Sequence, residues 1–296
     1  MRFAEIGQQL RAYRMESGLR AEEIAARLGV SRAALYRYEK GEVIKLDTVK
    51  RLAELLKVSP LSLLGIGVEY YSRSAGYFER IRQVEESADQ ILQAFGPLCY
   101  LTTSDAFDHA LSEGFAAYVQ DSDADRSHLR TAADQVLALL SARKRNYQQR
   151  KPGIIAIIAE SAVRVFLEQG VLAAARVPEG LRARCREVAA AEVENIAGLM
   201  EAEPMGLQFG LLPEGEMTSG FTILRAGDRA TLAVNPFRAD SLPASQTGVA
   251  MITGADEAIA AHQRVAEAMW REAVKGPAGA RRLRELVAGR GQLRAA

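Results

Sequence analysis

The stretch RAEEIAARLGVSRAALYRYEKG, Arg20 to Gly41, leaves the chain few choices of fold. Ile24, Ala25 and Leu28 fall on one face at helical spacing, and Gly29 stops the run. After Val30, Ser31 offers a hydroxyl to an orphan amide of a new helix, predicted from about Arg32 to Lys40 and closed at Gly41. Two short helices around Gly29-Val30, with the second one capped, have the spacing of a helix-turn-helix. The flanking sequence continues this all-helical pattern. Upstream, Ile6, Leu10 and Tyr13 or Arg14 form a stripe ending at Gly18; downstream, Asp47 is positioned to cap a helix buried through Val49, Leu52, Ala53 and Leu56. A last turn, LSLLG, follows Pro60.

Within the third helix, Leu35 and Tyr38 would face a local core against Ile24 and Leu28. That leaves Arg32, Ala33, Tyr36, Arg37 and Lys40 on the opposite flank. Such a face suits the major groove, where an arginine makes bidentate contacts to guanine O6 and N7 and a lysine anchors a phosphate. Charge agrees locally but not globally. The whole chain has a formal net charge of +1, whereas residues 1–60 hold twelve Lys/Arg against eight Asp/Glu, a surplus of four. The same polar residues could simply be the solvated side of a surface helix. Cap, glycines, periodicity and charge together favour a DNA-facing one.

IGQQLRAYRMESGLRAEEIAARLGVSRAALYRYEKGEVIKLDTVKRLAELLKVS resembles the Cro/C1 (Xre) type helix-turn-helix family of phage repressors and bacterial transcriptional regulators. The resemblance covers about the first 64 residues and implies an all-α, lambda-repressor-like domain that binds double-stranded DNA. It also implies an ion pair between Arg14 and Glu39 and base readers at Arg32, Ala33, Tyr36 and Arg37; the capping Ser31 and the phosphate anchor Lys40, read from the helix itself, complete the DNA-binding set. Where the family usually carries a phosphate-binding glutamine, this chain has Ala21; its loop EVIKLD is shorter than in many members and lacks their common proline. Alanine at position 33 gives up a polar reader, so specificity rests more on Arg32 and Arg37 or on DNA shape.

A length of 296 residues exceeds what one small module needs, and 48% apolar with 25% charged residues is the composition of a folded protein. The expected layout is multidomain: a helix-turn-helix domain over 1–66, a linking or dimerisation helix over 67–96 (helical from about Ala75 to Phe95), an α/β regulatory domain over 97–275 and a basic tail over 276–296. In the α/β part LCYLT, GLQFGLL, GVAMIT and the hairpin around Ala226-Gly227-Asp228 read as strands. IIAIIA fits a buried strand or the start of a buried helix, and RCREVAAAEVENIAGLM a long amphipathic helix.

Nothing in the sequence spells out catalysis. His109, His128 and His262 are dispersed, Asp105, Asp108 and His109 crowd a turn that reads as solvated, and nucleophile-elbow, Walker A and GxGxxG patterns are lacking. No cofactor is implied. Cys99 and Cys185 read as free thiols and no segment matches a bilayer span, which places the protein in the cytoplasm, off the membrane. One recognition helix covers little DNA, so a homodimer on a near-palindromic operator is expected. The large second domain suggests a small-molecule effector. Glu160 and Arg164, spaced i, i+4 beside the most apolar segment, are candidate effector contacts or merely a helix-stabilising pair. RKRNYQQRK at 143–151 is a solvated helix end or an anion site. Phe221, Arg225, Asn235 and Phe237 serve a ligand or sheet packing. The alternatives are a DNA-binding assembly protein with a constitutive oligomerisation domain, and an antitoxin-like autorepressor.

Overall fold

The computed structural model describes residues 3–94, 96–121, 126–172, 177–213, 220–242 and 246–290. The chain opens with five helices, α1 (Phe3–Ser17), α2 (Ala21–Leu28), α3 (Arg32–Glu39), α4 (Leu46–Leu56) and α5 (Pro60–Leu63). Their apolar stripes converge on Leu10, Ile24, Leu35 and Leu52, all fully buried. The expected punctuation is present: α2 closes at Gly29 with φ +71°, and the Ser31 hydroxyl accepts the Ala34 amide at 3.1 Å. α4 begins a residue before Asp47, with Lys45 at its N-cap, so Asp47 lies in the first turn and not at the cap.

A mixed α/β domain follows directly. Its strands are β1 (Val68–Tyr71), β2 (Gln90–Ala94), β3 (Gly153–Ala159), β4 (Leu207–Leu212), β5 (Gly220–Ala226), β6 (Arg229–Asn235), β7 (Ala250–Thr253) and β8 (Val274–Lys275). They form one eight-stranded sheet ordered β1-β7-β6-β5-β2-β3-β4-β8. The β2–β3 and β3–β4 pairs are parallel and the others antiparallel, with β5 and β6 joined as the hairpin expected at Gly227-Asp228. The helices are α6 (Ser74–Glu85), α7 (Asp105–Asp121), α8 (Arg126–Arg150), α9 (Glu160–Gln169), α10 (Glu179–Ala202), α11 (Asp256–Glu272) and α12 (Gly276–Gly289), with a 3-10 turn at Tyr100–Thr102. The IIAIIA segment resolves as strand β3, whose β-branched side chains suit a buried parallel strand.

Two expectations are corrected. The helix predicted over Ala75–Phe95 ends at Glu85, and residues 90–94 form the central strand β2. Long-range hydrogen bonds decide this: at Asp89 the amide donates to Arg225 O at 2.7 Å, the carbonyl accepts from Gly153 N at 2.8 Å, and the carboxylate accepts from Gly227 N at 2.9 Å. With Tyr77, Phe78 and Ile81 buried inside the monomer, α6 has no apolar stripe left to pair with a second copy. LCYLT, expected as a strand, is the 3-10 turn, because the Thr102 and Thr103 hydroxyls donate back to the carbonyls of Cys99 and Tyr100 at 2.9 and 2.8 Å. Past residue 275, α12 buries Ala280, Leu283 and Leu286.

The two parts share one apolar core, which runs from Leu10 and Leu35 through Tyr71 and Phe78 to Ile154 and Leu283. At the junction the buried carboxylate of Glu69 on β1 accepts from Gln9 Nε2 on α1 (2.6 Å), from the Tyr71 hydroxyl (2.7 Å) and from Arg80 on α6 through two bonds (2.8 and 2.9 Å). Tyr13 and Tyr71 stack beside it with ring centroids 5.3 Å apart.

Candidate nucleic-acid interface

α3 is held from behind and open in front. Leu35 is fully buried, Ala34 nearly so, and Tyr38 packs partly against the core, as its spacing from Leu35 predicts. Behind the helix, Arg14 of α1 makes a two-pronged ion pair with Glu39, Nε–Oε1 at 2.5 Å and Nη2–Oε2 at 3.0 Å. Burial works against the Arg14 charge, but the hydrogen bond and field of Glu39 outweigh it and raise the Arg14 pKa. The guanidinium stays charged and fixes the C-terminal end of α3 against α1. Gly7 makes that contact close: a Cβ there would sit 2.5 Å from the Tyr38 carbonyl oxygen and 2.6 Å from that of Glu39.

The outward face carries Arg32, Ala33, Arg37 and Lys40, all exposed, with Tyr36 half-buried between them. Arg32 pairs with Glu22 of α2 at 2.8 Å, donates to the Tyr36 hydroxyl at 3.2 Å and lies over that ring, 5.3 Å from its centroid. Arg37 is paired with Glu42 at 2.6 Å. Both partners are themselves about half exposed, so these pairs are weak and readily exchanged for a stronger acceptor such as a guanine edge or phosphate. Ser31 caps the helix whose N-terminal end leads this face. Ala21 differs from the rest: its methyl is buried in the small core, 5% exposed, which leaves only backbone at that place.

The second pair of sequence candidates lies far from this face. Glu160 and Arg164 are joined at 2.6 Å, but Glu160 also takes two bonds from Arg282 of α12, at 2.9 and 2.8 Å. Glu160 therefore tethers the C-terminal helix to α9. The basic run at 143–151 is split: Arg143 is bidentate to Glu85 at 2.9 and 2.8 Å, and the buried Lys144 donates to Asp108 at 2.6 Å and to the Ser104 carbonyl at 3.1 Å, whereas Arg145, Arg150 and Lys151 are exposed, as a solvated helix end would be. Asp108 is thus an ion-pair partner, while His109 is exposed beside Glu113 at 3.6 Å. Arg225 donates to Gln263 at 2.8 Å. Phe221, Asn235 and Phe237 line a cavity of about 600 Å³ between α6, α8 and the sheet, which neither Glu160 nor Arg164 reaches. Sequence reasoning did not find this cavity, since its walls come from segments more than 150 residues apart.

Among the described residues there is no cluster of three or more His, Cys, Asp or Glu able to hold a metal, and no helix long and apolar enough to cross a membrane. Cys99 and Cys185 are free and buried, and burial pushes the Cys99 thiol up to about 11, so it is not an activated nucleophile.

The fold and the exposed helix define the class: an N-terminal helix-turn-helix domain followed by a mixed α/β domain. Residues 5–63 match the helix-turn-helix domain family. The chain is also similar to a protein of Pyrococcus horikoshii described as a "putative HTH-type transcriptional regulatory protein", 44% identical over 62 residues. That similarity spans 20% of this chain and 20% of the relative.

Proposed function

We propose that the protein is a sequence-specific transcriptional regulator that binds a near-palindromic operator as a homodimer and answers to a small-molecule effector through its α/β domain. The observation that carries this is α3 itself. An eight-residue helix is clamped by Leu35 and the Arg14–Glu39 pair, and it exposes Arg32, Arg37 and Lys40 around Tyr36. A solvated surface helix needs no such clamp, whereas a reading head must hold its side chains in register with base edges. Arg32 and Arg37 are assigned to base edges, Tyr36 to a sugar or thymine methyl, and Lys40 to a phosphate. Ser31 and the backbone at Ala21 lie at helix N-termini that suit phosphate oxygens. Ala33, with only a methyl, reads by shape and apolar contact. A single α3 covers too little DNA for a selective site, so two copies are required.

Competition binding at fixed salt, with an operator selected from random duplexes, tests the assignment. Arg37→Ala should cut the preference for operator over mismatched DNA by about ten-fold or more, the cost of one lost bidentate guanine contact. Lys40→Ala should weaken all duplexes alike and lower the salt slope by about one. An unchanged specificity ratio for Arg37→Ala removes it from the readers.

A further inference from the structure

We propose that the 600 Å³ cavity between α6, α8 and the sheet is a binding site for a compact, uncharged ligand with an aromatic or alicyclic body and one or two hydrogen-bonding groups. Its volume lies within the roughly 300–1,000 Å³ of small-molecule sites. The wall is aromatic: Tyr77 and Phe78 meet edge to face at 5.5 Å, and Phe237 tilts against Tyr77 at 6.0 Å.

The ionic groups on that wall are already satisfied by one another. Glu85 and Arg143 form a two-pronged pair, with Arg143 sandwiched over the Phe78 and Tyr100 rings at 5.6 and 5.7 Å. Arg238 and Asp240 form another, at 2.8 and 2.5 Å. An anion would have to draw Arg143 away and leave the Glu85 carboxylate buried and unpaired, and a cation would do the reverse, so a net charge on the ligand is penalised.

Two neutral polar groups on the wall, in contrast, are open, while Gln93, Tyr100 and Asn235 are hydrogen-bonded to Leu98, Asp108 and Phe237. The Tyr77 residue is 3% exposed, and its hydroxyl makes no hydrogen bond to the described residues. Thr222 on β5 lines the cavity with its hydroxyl equally unengaged. Among the described residues the one fully buried side-chain oxygen without a partner is that of Tyr13, so the Tyr77 hydroxyl keeps access to the cavity, and burial, the largest influence on Tyr77, keeps it protonated as a neutral donor. Tyr77 and Thr222 face the cavity from two different elements, which would fix a ligand's orientation as well as its polarity.

The site also has a mechanical outlet. α6 carries Tyr77, Phe78, Ile81 and Glu85 toward the cavity. Its other side grips α1, with Glu79 paired to Arg11 at 2.9 Å and Gln83 donating to the Gln8 carbonyl at 3.1 Å. α1 in turn holds α3 through Arg14. A ligand that shifts α6 therefore acts on the element that orients the reading head. Only the description of the ligand as an effector rests on the regulatory function proposed above.

The test uses two fluorescent probes of nearly one shape, neutral N-phenyl-1-naphthylamine and its sulfonate, 1-anilinonaphthalene-8-sulfonate, titrated into the full-length protein without DNA. The neutral probe should bind saturably at one site per chain, at least about ten-fold tighter than the sulfonate. Tyr77→Phe, nearly isosteric, should weaken it about five-fold, and Thr222→Trp, which puts an indole into the cavity where the ligand's polar group would sit and removes the hydroxyl, should weaken it at least about ten-fold while leaving the circular dichroism spectrum native. Absence of saturable binding, equal binding of the anion, or full binding by folded Thr222→Trp overturns the proposal. Because no DNA is present, failure here leaves operator binding untouched. Failure of operator binding with intact probe binding would instead remove the regulatory function.

Discussion

Gly7 shows how one missing side chain sets the geometry of the DNA-facing helix. α1 lies against the carbonyls of Tyr38 and Glu39 at a separation that leaves no room for a methyl group. Alanine is the better helix former by about 1 kcal/mol, so on propensity alone Gly7→Ala would stabilise α1. The opposing cost is larger, because the atoms 2.5 Å away are backbone and cannot rotate aside. Overpacking of this kind costs about 1–3 kcal/mol. The expected result is a lower melting temperature together with weaker operator binding, since the Arg14–Glu39 pair must stretch as α1 moves back. A Gly7→Ala protein that melts higher than the parent would show that the contact relaxes. The ion pair itself was legible from the sequence through the family resemblance, and the outward set Arg32, Ala33, Tyr36, Arg37 and Lys40 through helical spacing, with Tyr36 half-buried among them. Their acidic partners Glu22 and Glu42 were not, because a pairing between elements depends on the angle at which those elements meet.

At the scale of elements, α12 is a case where charge and packing cooperate. Its apolar residues Ala280, Leu283 and Leu286 are buried, and Arg282 beside them reaches Glu160 of α9. Burial would raise the Glu160 pKa, but the hydrogen bonds from Arg282 and Arg164 prevail and lower it below the usual carboxylate value of 4.5. Because the folded pKa is the depressed one, the stabilisation is fully present above about pH 4.5 and is lost as pH falls through the folded value. Glu160→Gln should therefore melt below the parent at pH 7, by the equivalent of about 1–2 kcal/mol, and the gap should close on acidification towards pH 3. Thermal melts across that range measure it; a gap independent of pH would mean that shape at position 160, not charge, holds α12. The basic residues of this segment were apparent in the sequence as a tail, but its docking was not, since Glu160 lies 122 positions away from Arg282.

For the whole molecule the decisive feature is the junction, where the Glu69 carboxylate gathers Gln9, Tyr71 and Arg80 and the apolar core continues past it. A shared core predicts that the helix-turn-helix and the sheet melt together in one calorimetric transition. Glu69→Ala leaves the Arg80 guanidinium buried without its carboxylate, a loss of about 3–5 kcal/mol concentrated between the two parts. The single transition should then split, with the helix-turn-helix domain melting first. One transition in the variant would place the coupling in the apolar contacts alone.

The sequence by itself determined the small domain: its helices, its cap at Ser31, its stop at Gly29 and the polar face of α3. These are local matters of periodicity and capping, settled within a few residues of each signal. It also marked the β5–β6 hairpin and the strand after Pro204. Tertiary structure decided that residues 90–94 are a central strand and not the end of a long helix, because their partners come from β3 and β5, 63 or more residues away in register. It decided as well that Arg143 and Lys144 are buried ion-pair members, and it created the cavity beside Tyr77. In each case the deciding free energy is a pairing between distant groups, and no local pattern records which distant groups will meet.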